Sequence, residues 1–135
     1  MAILASLGKY RNTGLLIIRV GLGIMMVYHG YPKLLGGPEQ WEAVGSSMKY
    51  LGINFTPAIW GLLAAVTETF GGFLLVIGLA FRPACLLLML TMAVAATMHL
   101  KNGDGLMIAS HAIELGIVFL GLALIGPGRY SVDKK

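Results

Sequence analysis

Among the ionisable side chains that lie within or at the ends of long apolar stretches of this 135-residue sequence are His29, Glu68, His99, His111 and Glu114. Such groups are costly in hydrocarbon and usually face a bundle interior or a water-filled cavity. Carboxylates and imidazoles can also exchange protons with a bound ligand. The pattern predicts a buried polar pocket in an otherwise apolar protein, with these residues as its candidates.

Several kinds of function fit such a pocket. A bound quinone needs apolar walls and a partner that supplies two protons during its reduction, and we take Glu68, Glu114 and His99 as the catalytic candidates. Alternatively, histidine and glutamate on facing helices ligate metals in bundles, and two histidines can ligate haem. A non-catalytic scaffold or small-solute carrier is the third interpretation. The histidines could also simply cap helices or face lipid headgroups.

The depth of the charged groups suggests how they could pair. With a rise of 1.5 Å per residue, Arg19 is roughly 10 Å in from one end of its helix, and Glu68 is roughly 17 Å in from the opposite end of the next. Arg19 could therefore neutralise Glu68 or close the floor of the pocket, or extend towards the aqueous phase. His111 and Glu114 are three residues apart and share a helix side. A weak internal repeat, with glutamates in the second and fourth helices, predicts that both glutamates face one axis.

The composition indicates an integral membrane protein. Hydrophobic residues make up 57% of the chain and charged residues only 12%, with a mean hydropathy of +0.81, which is far from an ordinary soluble domain. The net charge of +4 comes from scattered basic residues, which favour a role in membrane topology over nucleic-acid binding. Cys85 is the single cysteine, so no internal disulfide can form.

Four stretches are long enough to cross a bilayer, whose hydrocarbon core of about 30 Å needs about 20 helical residues. They cover about 13–35, 56–79, 83–100 and 106–125. Because lipid-exposed backbone must be helical or in a closed barrel, and the links are short, we predict one all-α domain over 1–135, a transmembrane four-helix up-down-up-down bundle. After the first span, Trp41, Val44, Met48 and Leu51 recur at helical spacing, which predicts a short amphipathic interfacial helix that could cover the pocket.

Basic residues fix the predicted orientation. Six of them fall on one side of the predicted bundle: Lys9, Arg11, Arg82, Arg129, Lys134 and Lys135. Three fall on the other side: Lys33, Lys49 and Lys101. We therefore expect a multi-pass protein of the inner (plasma) membrane, with an uncleaved first helix and both termini in the cytoplasm. The pocket would then open towards the outer side.

Four segments carry a resemblance that covers almost the whole chain. They are LLIIRVGLGIMMVYHGYPKL, TETFGGFLLVIGLAFRPA, MAVAATMH and IELGIVFLGLALIGPGRYSVD, in this order. The sequence resembles the DoxX family of small four-helix membrane proteins. The wider group includes DoxD-like subunits linked to thiosulfate:quinone oxidoreductase, and other members are linked to membrane redox complexes that handle thiol and oxidative stress.

The resemblance implies which polar residues belong to the site. The positions that match the family are Arg19, His29, Lys33, Glu68, His99 and Glu114, whereas His111 matches none. Arg19, His29, Lys33 and His111 are our candidates for cofactor binding. The chain contains no CxxC motif and no nucleotide fingerprint, so a redox reaction would need a bound cofactor such as quinone or a partner subunit. Glycine-rich faces on four short helices also suggest a homo-oligomer.

Overall fold

The computed structural model describes residues 3–133, which form helices joined by short turns and contain no strand. Its α-helices are α1 (Arg11–Leu35), α2 (Gly37–Gly45), α3 (Pro57–Ile77), α4 (Phe81–Lys101) and α5 (Leu106–Ile125). Two 3₁₀ segments, Ala5–Tyr10 and Ser46–Leu51, precede α1 and follow α2. Of the basic residues used to predict orientation, Lys134 and Lys135 lie outside the described residues.

The four long helices α1, α3, α4 and α5 are each long and apolar enough to cross a membrane. They coincide with the four predicted spans. Large apolar side chains on their outer faces are more than half exposed, among them Ile17, Phe70 and Leu90. Outward apolar surface on this scale fits contact with lipid rather than water. The all-helical membrane class is therefore confirmed, and the up-and-down order of the spans across the bilayer stays a prediction.

Helices α1 and α3 run antiparallel, and glycines let their backbones touch. A Cβ atom added at Gly72 would lie 2.6 Å from the carbonyl oxygen of Gly23, and one added at Gly30 would lie 2.6 Å from the amide nitrogen of Thr69. Only glycine allows such close approach, as is common between membrane helices. This contact fixes the register of the two helices over most of their length.

Helix α2 continues past the end of α1 and packs along the first turns of α3. Gly45 and Gly61 lie at this contact, where neither leaves room for a side chain. Trp41 Nε1 donates hydrogen bonds to the carbonyls of Lys33 (3.1 Å) and Leu34 (3.3 Å), at the end of α1 where carbonyls lack helical partners. The predicted short helix after the first span is therefore present, and its location in the membrane interface stays a prediction.

Residues 129–133, which we call the tail, form hydrogen bonds with the helix ends at the side of the bundle near both termini. Asn12 Oδ1 in α1 accepts a hydrogen bond from the backbone amide of Arg129 (3.0 Å). The amide of Phe81, which opens α4, donates to Asp133 Oδ2 (2.8 Å). The amide of Val132 donates to the carbonyl of Ile77, the last residue of α3. The bonds of Asp133 and Val132 thus hold the turn between α3 and α4 in place.

The core lies mainly between α3, α4 and α5. Its fully buried side chains include Leu75, Phe81, Leu88 and Phe119. By contrast, α1 and α5 have no Cα atoms within 8 Å of each other over the described helices. Of the four sides of the bundle, the one between α1 and α5 is therefore the side where the two backbones approach least closely, and we call it the opening; the candidate site borders it.

Replacing Gly72 with alanine tests the α1–α3 contact. The added methyl meets the Gly23 carbonyl and lies 2.9 Å from Met26 Cβ, so we expect a loss of about 1–3 kcal/mol in the free energy of unfolding. Gly21→Ala is the matched control, because a Cβ there meets nothing within 4 Å and alanine favours a helix. Denaturation in mixed micelles measures both. Equal stability of the two variants would contradict the contact.

Candidate functional site

A cavity of about 260 Å³ lies between the four long helices, at the opening between α1 and α5. Its polar lining contains the majority of the residues singled out from the sequence: His29, Lys33, Glu68, His99 and His111. The remaining lining is apolar and comes from Met26, Met92, Ala95, Ile108, Ala112 and Leu115. The structure thus brings five predicted site residues together in one partly apolar pocket.

An ion pair between Lys33 and Glu68 forms the inner wall of the cavity. Lys33 Nζ donates to both carboxylate oxygens of Glu68, at 3.0 and 2.8 Å. The Glu68 side chain is only 4% exposed, whereas that of Lys33 is 33% exposed. Because Gly30 lies against Thr69 and Glu68, Lys33 in the next turn of α1 is brought within reach of the carboxylate. A buried carboxylate in lipid needs such a partner.

The expected Arg19–Glu68 pair is wrong. Arg19 is 2% exposed, and its Nη1 donates to the carbonyl of Val76 (3.3 Å), near the end of α3. The depth estimate assumed that α1 and α3 begin and end at the same levels. In the structure, α3 begins beside α2, beyond the end of α1. Glu68 therefore lies opposite Gly30 and not opposite Arg19. Arg19 does not line the cavity, and its charge instead faces the negative end of the α3 dipole.

The three histidines stand around the cavity on different helices. His29 of α1 and His111 of α5 face each other across the opening, with ring centroids 6.4 Å apart at an angle of 60°. His99 Nδ1 donates to Asp104 Oδ2 (2.7 Å), and this bond holds the ring in place. Sequence reasoning missed Asp104, although it lies only five residues after His99 in the KNGDG loop.

Glu114 does not belong to the cavity. Its side chain is exposed, and the cavity lining contains its neighbours Ala112 and Leu115 instead. Successive helical residues are about 100° apart, so Glu114 is turned about 60° beyond His111, away from the bundle. The expectation that both glutamates share one pocket and one axis is therefore wrong.

A metal site is not formed by these residues. Within residues 3–133, no group of three or more His, Cys, Asp or Glu side chains is close enough to hold a metal ion. The sequence-based alternative of a metal centre required three such ligands to converge. The cavity combines a Lys–Glu ion pair with separated histidines, an arrangement that can donate hydrogen bonds to a neutral ligand and exchange protons with it.

Breaking the Lys33–Glu68 pair is expected to destabilise the protein strongly. Lys33→Met leaves the buried Glu68 carboxylate without its cation, for which about 3–5 kcal/mol is typical, and partial exposure of Lys33 lowers this somewhat. The double variant Lys33→Met/Glu68→Leu removes both charges and should recover most of the loss. The unfolding free energies of Lys33→Met, Glu68→Leu and the double variant give the coupling energy between the two side chains. Additive losses would contradict a direct pair.

Comparisons with known proteins agree with this architecture. The chain is 28% identical over 139 residues to "Inner membrane protein YphA" of Escherichia coli (strain K12), which covers 95% of this chain and 94% of that protein. No solved structure matches the chain. The DoxX family model matches residues 14–101, which span α1 to the end of α4 and include most of the cavity. The chain belongs to the DoxX family.

Proposed function

We propose that this protein is an integral membrane subunit of a redox system and binds the head group of a quinone in the cavity between α1 and α5. One observation carries the proposal. A charge-balanced Lys33–Glu68 pair with a buried carboxylate and three histidines meet apolar walls at the side where the backbones of α1 and α5 stay more than 8 Å apart. A lipid-dissolved ligand could reach this opening directly from the bilayer.

The size and lining of the cavity suit a ring rather than a whole lipid. Its volume of about 260 Å³ is slightly below the range of about 300–1,000 Å³ that is typical of sites for small organic molecules. The quinone ring would lie between Met26 and Met92, and its tail would leave through the opening into lipid. His29 and His111 could donate hydrogen bonds to its carbonyl oxygens.

The proposed reaction is quinone reduction, in which one quinone takes up two electrons and two protons and becomes the quinol. Within the cavity, we assign one proton to the imidazolium form of His99, whose Nδ1 is held by Asp104, and the other to the Lys33 ammonium of the Lys33–Glu68 pair, with both groups then reprotonated from water. The electrons would come from a partner subunit, since the sequence contains no CxxC or nucleotide motif.

Glu114 supports a second part of the proposal, that this chain pairs with a second copy of itself. The carboxylate lies near the middle of α5 on an exposed face and forms no ion pair within residues 3–133. A mid-membrane carboxylate rarely faces lipid. The same face carries residues spaced three and four apart, a pattern that packs against another helix: Glu114, Val118, Gly121 and Ile125. In a two-fold pair, Glu114 of one copy would lie against α5 of the other, away from lipid.

Purification in mild detergent tests quinone binding. We expect quinone in the organic extract, near one per chain, and about ten-fold weaker binding of an added quinone after His29→Ala or His111→Ala, because each loses a hydrogen bond to the carbonyl. Lys101→Gln is the control, since Lys101 is exposed and outside the cavity. Absence of quinone and unchanged binding in all variants would contradict the proposal. Stoichiometric metal or a haem absorbance band would favour the alternative site.

Light scattering of the detergent-solubilised protein tests the pairing through α5. We expect a dimer for the unchanged chain and a monomer for Glu114→Ala, because the variant no longer has a carboxylate that must be kept away from lipid. Ile117→Ala is the control, since Ile117 is 65% exposed on the neighbouring face. An unchanged chain that is monomeric, or a dimer that survives Glu114→Ala, would refute the arrangement.

A further inference from the structure

A second cavity, of about 470 Å³, lies at the end of the bundle near both termini. It forms where α1 begins, α5 ends and the tail crosses between them. Its lining combines two arginines with polar and apolar groups: Arg11, Asn12, Leu15, Ile125, Pro127, Gly128, Arg129 and Ser131. None of these residues lines the cavity of the Lys33–Glu68 pair, so the two cavities are separate.

Positive charge is concentrated around this second cavity. All four arginines of the chain lie at this end: Arg11, Arg19, Arg82 and Arg129. Asp133 is the one acidic residue described there, and its carboxylate already accepts a hydrogen bond from the Phe81 amide. Arg11 and Arg129 are exposed at the cavity and form no ion pair within residues 3–133. The cavity therefore lies in an uncompensated positive field.

Arg19 is a second, independent observation that favours an anion in this region. It is 2% exposed, no carboxylate of the described residues pairs with it, and its Nε has no hydrogen-bond partner. It lies one helical turn from Leu15 and beside Ser131, both of which line the cavity. A buried guanidinium without a counter-charge is unfavourable, and an anion in the cavity would offset that cost.

We propose that this cavity binds a phosphate group between Arg11 and Arg129. Guanidinium groups match phosphate oxygens with paired hydrogen bonds. The apolar residues Leu15, Ile125 and Pro127 offer a surface for the glycerol and first acyl carbons of a phospholipid. Basic pockets between membrane helices bind anionic headgroups in this way. A free phosphate ion shares the chemistry, and the inference does not depend on the proposed quinone site.

The full-length protein in detergent gives the test, by titration with phosphatidylglycerol, phosphatidylcholine or inorganic phosphate. We expect phosphatidylglycerol to raise the melting temperature and phosphatidylcholine not to. The variant Arg11→Gln/Arg129→Gln should bind phosphatidylglycerol about ten-fold or more weakly, because it loses charged hydrogen bonds. The control variant Lys49→Gln/Lys101→Gln removes the same number of charges at the opposite end of the bundle. It should bind phosphatidylglycerol as tightly as the unchanged chain does. A response to inorganic phosphate alone would identify a free anion as the ligand of the same site.

Two results would overturn the proposal. One is equal binding in all three proteins, and the other is an equal loss in both double variants, which would indicate a general effect of net charge. If the arginine double variant does not fold, Arg129→Gln alone replaces it, because Arg129 is exposed in the tail. Native mass spectrometry in equimolar phosphatidylglycerol and phosphatidylcholine then compares bound lipid. Retention of phosphatidylglycerol by the unchanged chain but not by Arg129→Gln is expected, and equal retention refutes the site.

Discussion

The backbone contact between α1 and α3 determines where the charged groups of this protein meet. Gly23 and Gly72 allow the two helices to approach until their main chains touch, and Gly30 does the same further along. Once this register is set, Lys33 reaches Glu68 and Arg19 reaches the last carbonyls of α3. Glu68 then has its counter-charge, and Arg19 has a backbone carbonyl as its partner. A displacement of α1 by one turn, about 5.4 Å, would separate both pairs.

The sequence predicted the four spans and the short helix after the first, because apolar length and helical spacing are local properties. It also identified the ionisable residues of the cavity, since an ionisable group in a membrane span is costly and usually has a function. The partner of each charged side chain on a neighbouring helix could not be predicted in the same way. The Arg19–Glu68 pair was inferred from depth alone, and depth depends on how α2 extends the path of α1 along α3, which no local pattern reveals.

The position of Glu114 shows a second limit of sequence reasoning. Three residues separate it from His111, which is enough to place both on one side of α5 but leaves about 60° between them. That angle puts His111 at the cavity and Glu114 outside it. Asp104 was missed for the opposite reason: it lies in a loop, where an acidic residue normally needs no explanation, yet it holds His99.

The C-terminal tail has a consequence for biosynthesis. Asp133 and Val132 hold the turn between α3 and α4, but they are made after all four membrane helices. Until the tail has been made, that turn lacks its bonds and Arg129 cannot donate to Asn12. Domains form progressively as the chain emerges, so here the earlier helices insert before the bonds of the tail can form. A chain truncated before Val132 would still contain all four membrane helices but would lack the bonds that hold the turn between α3 and α4.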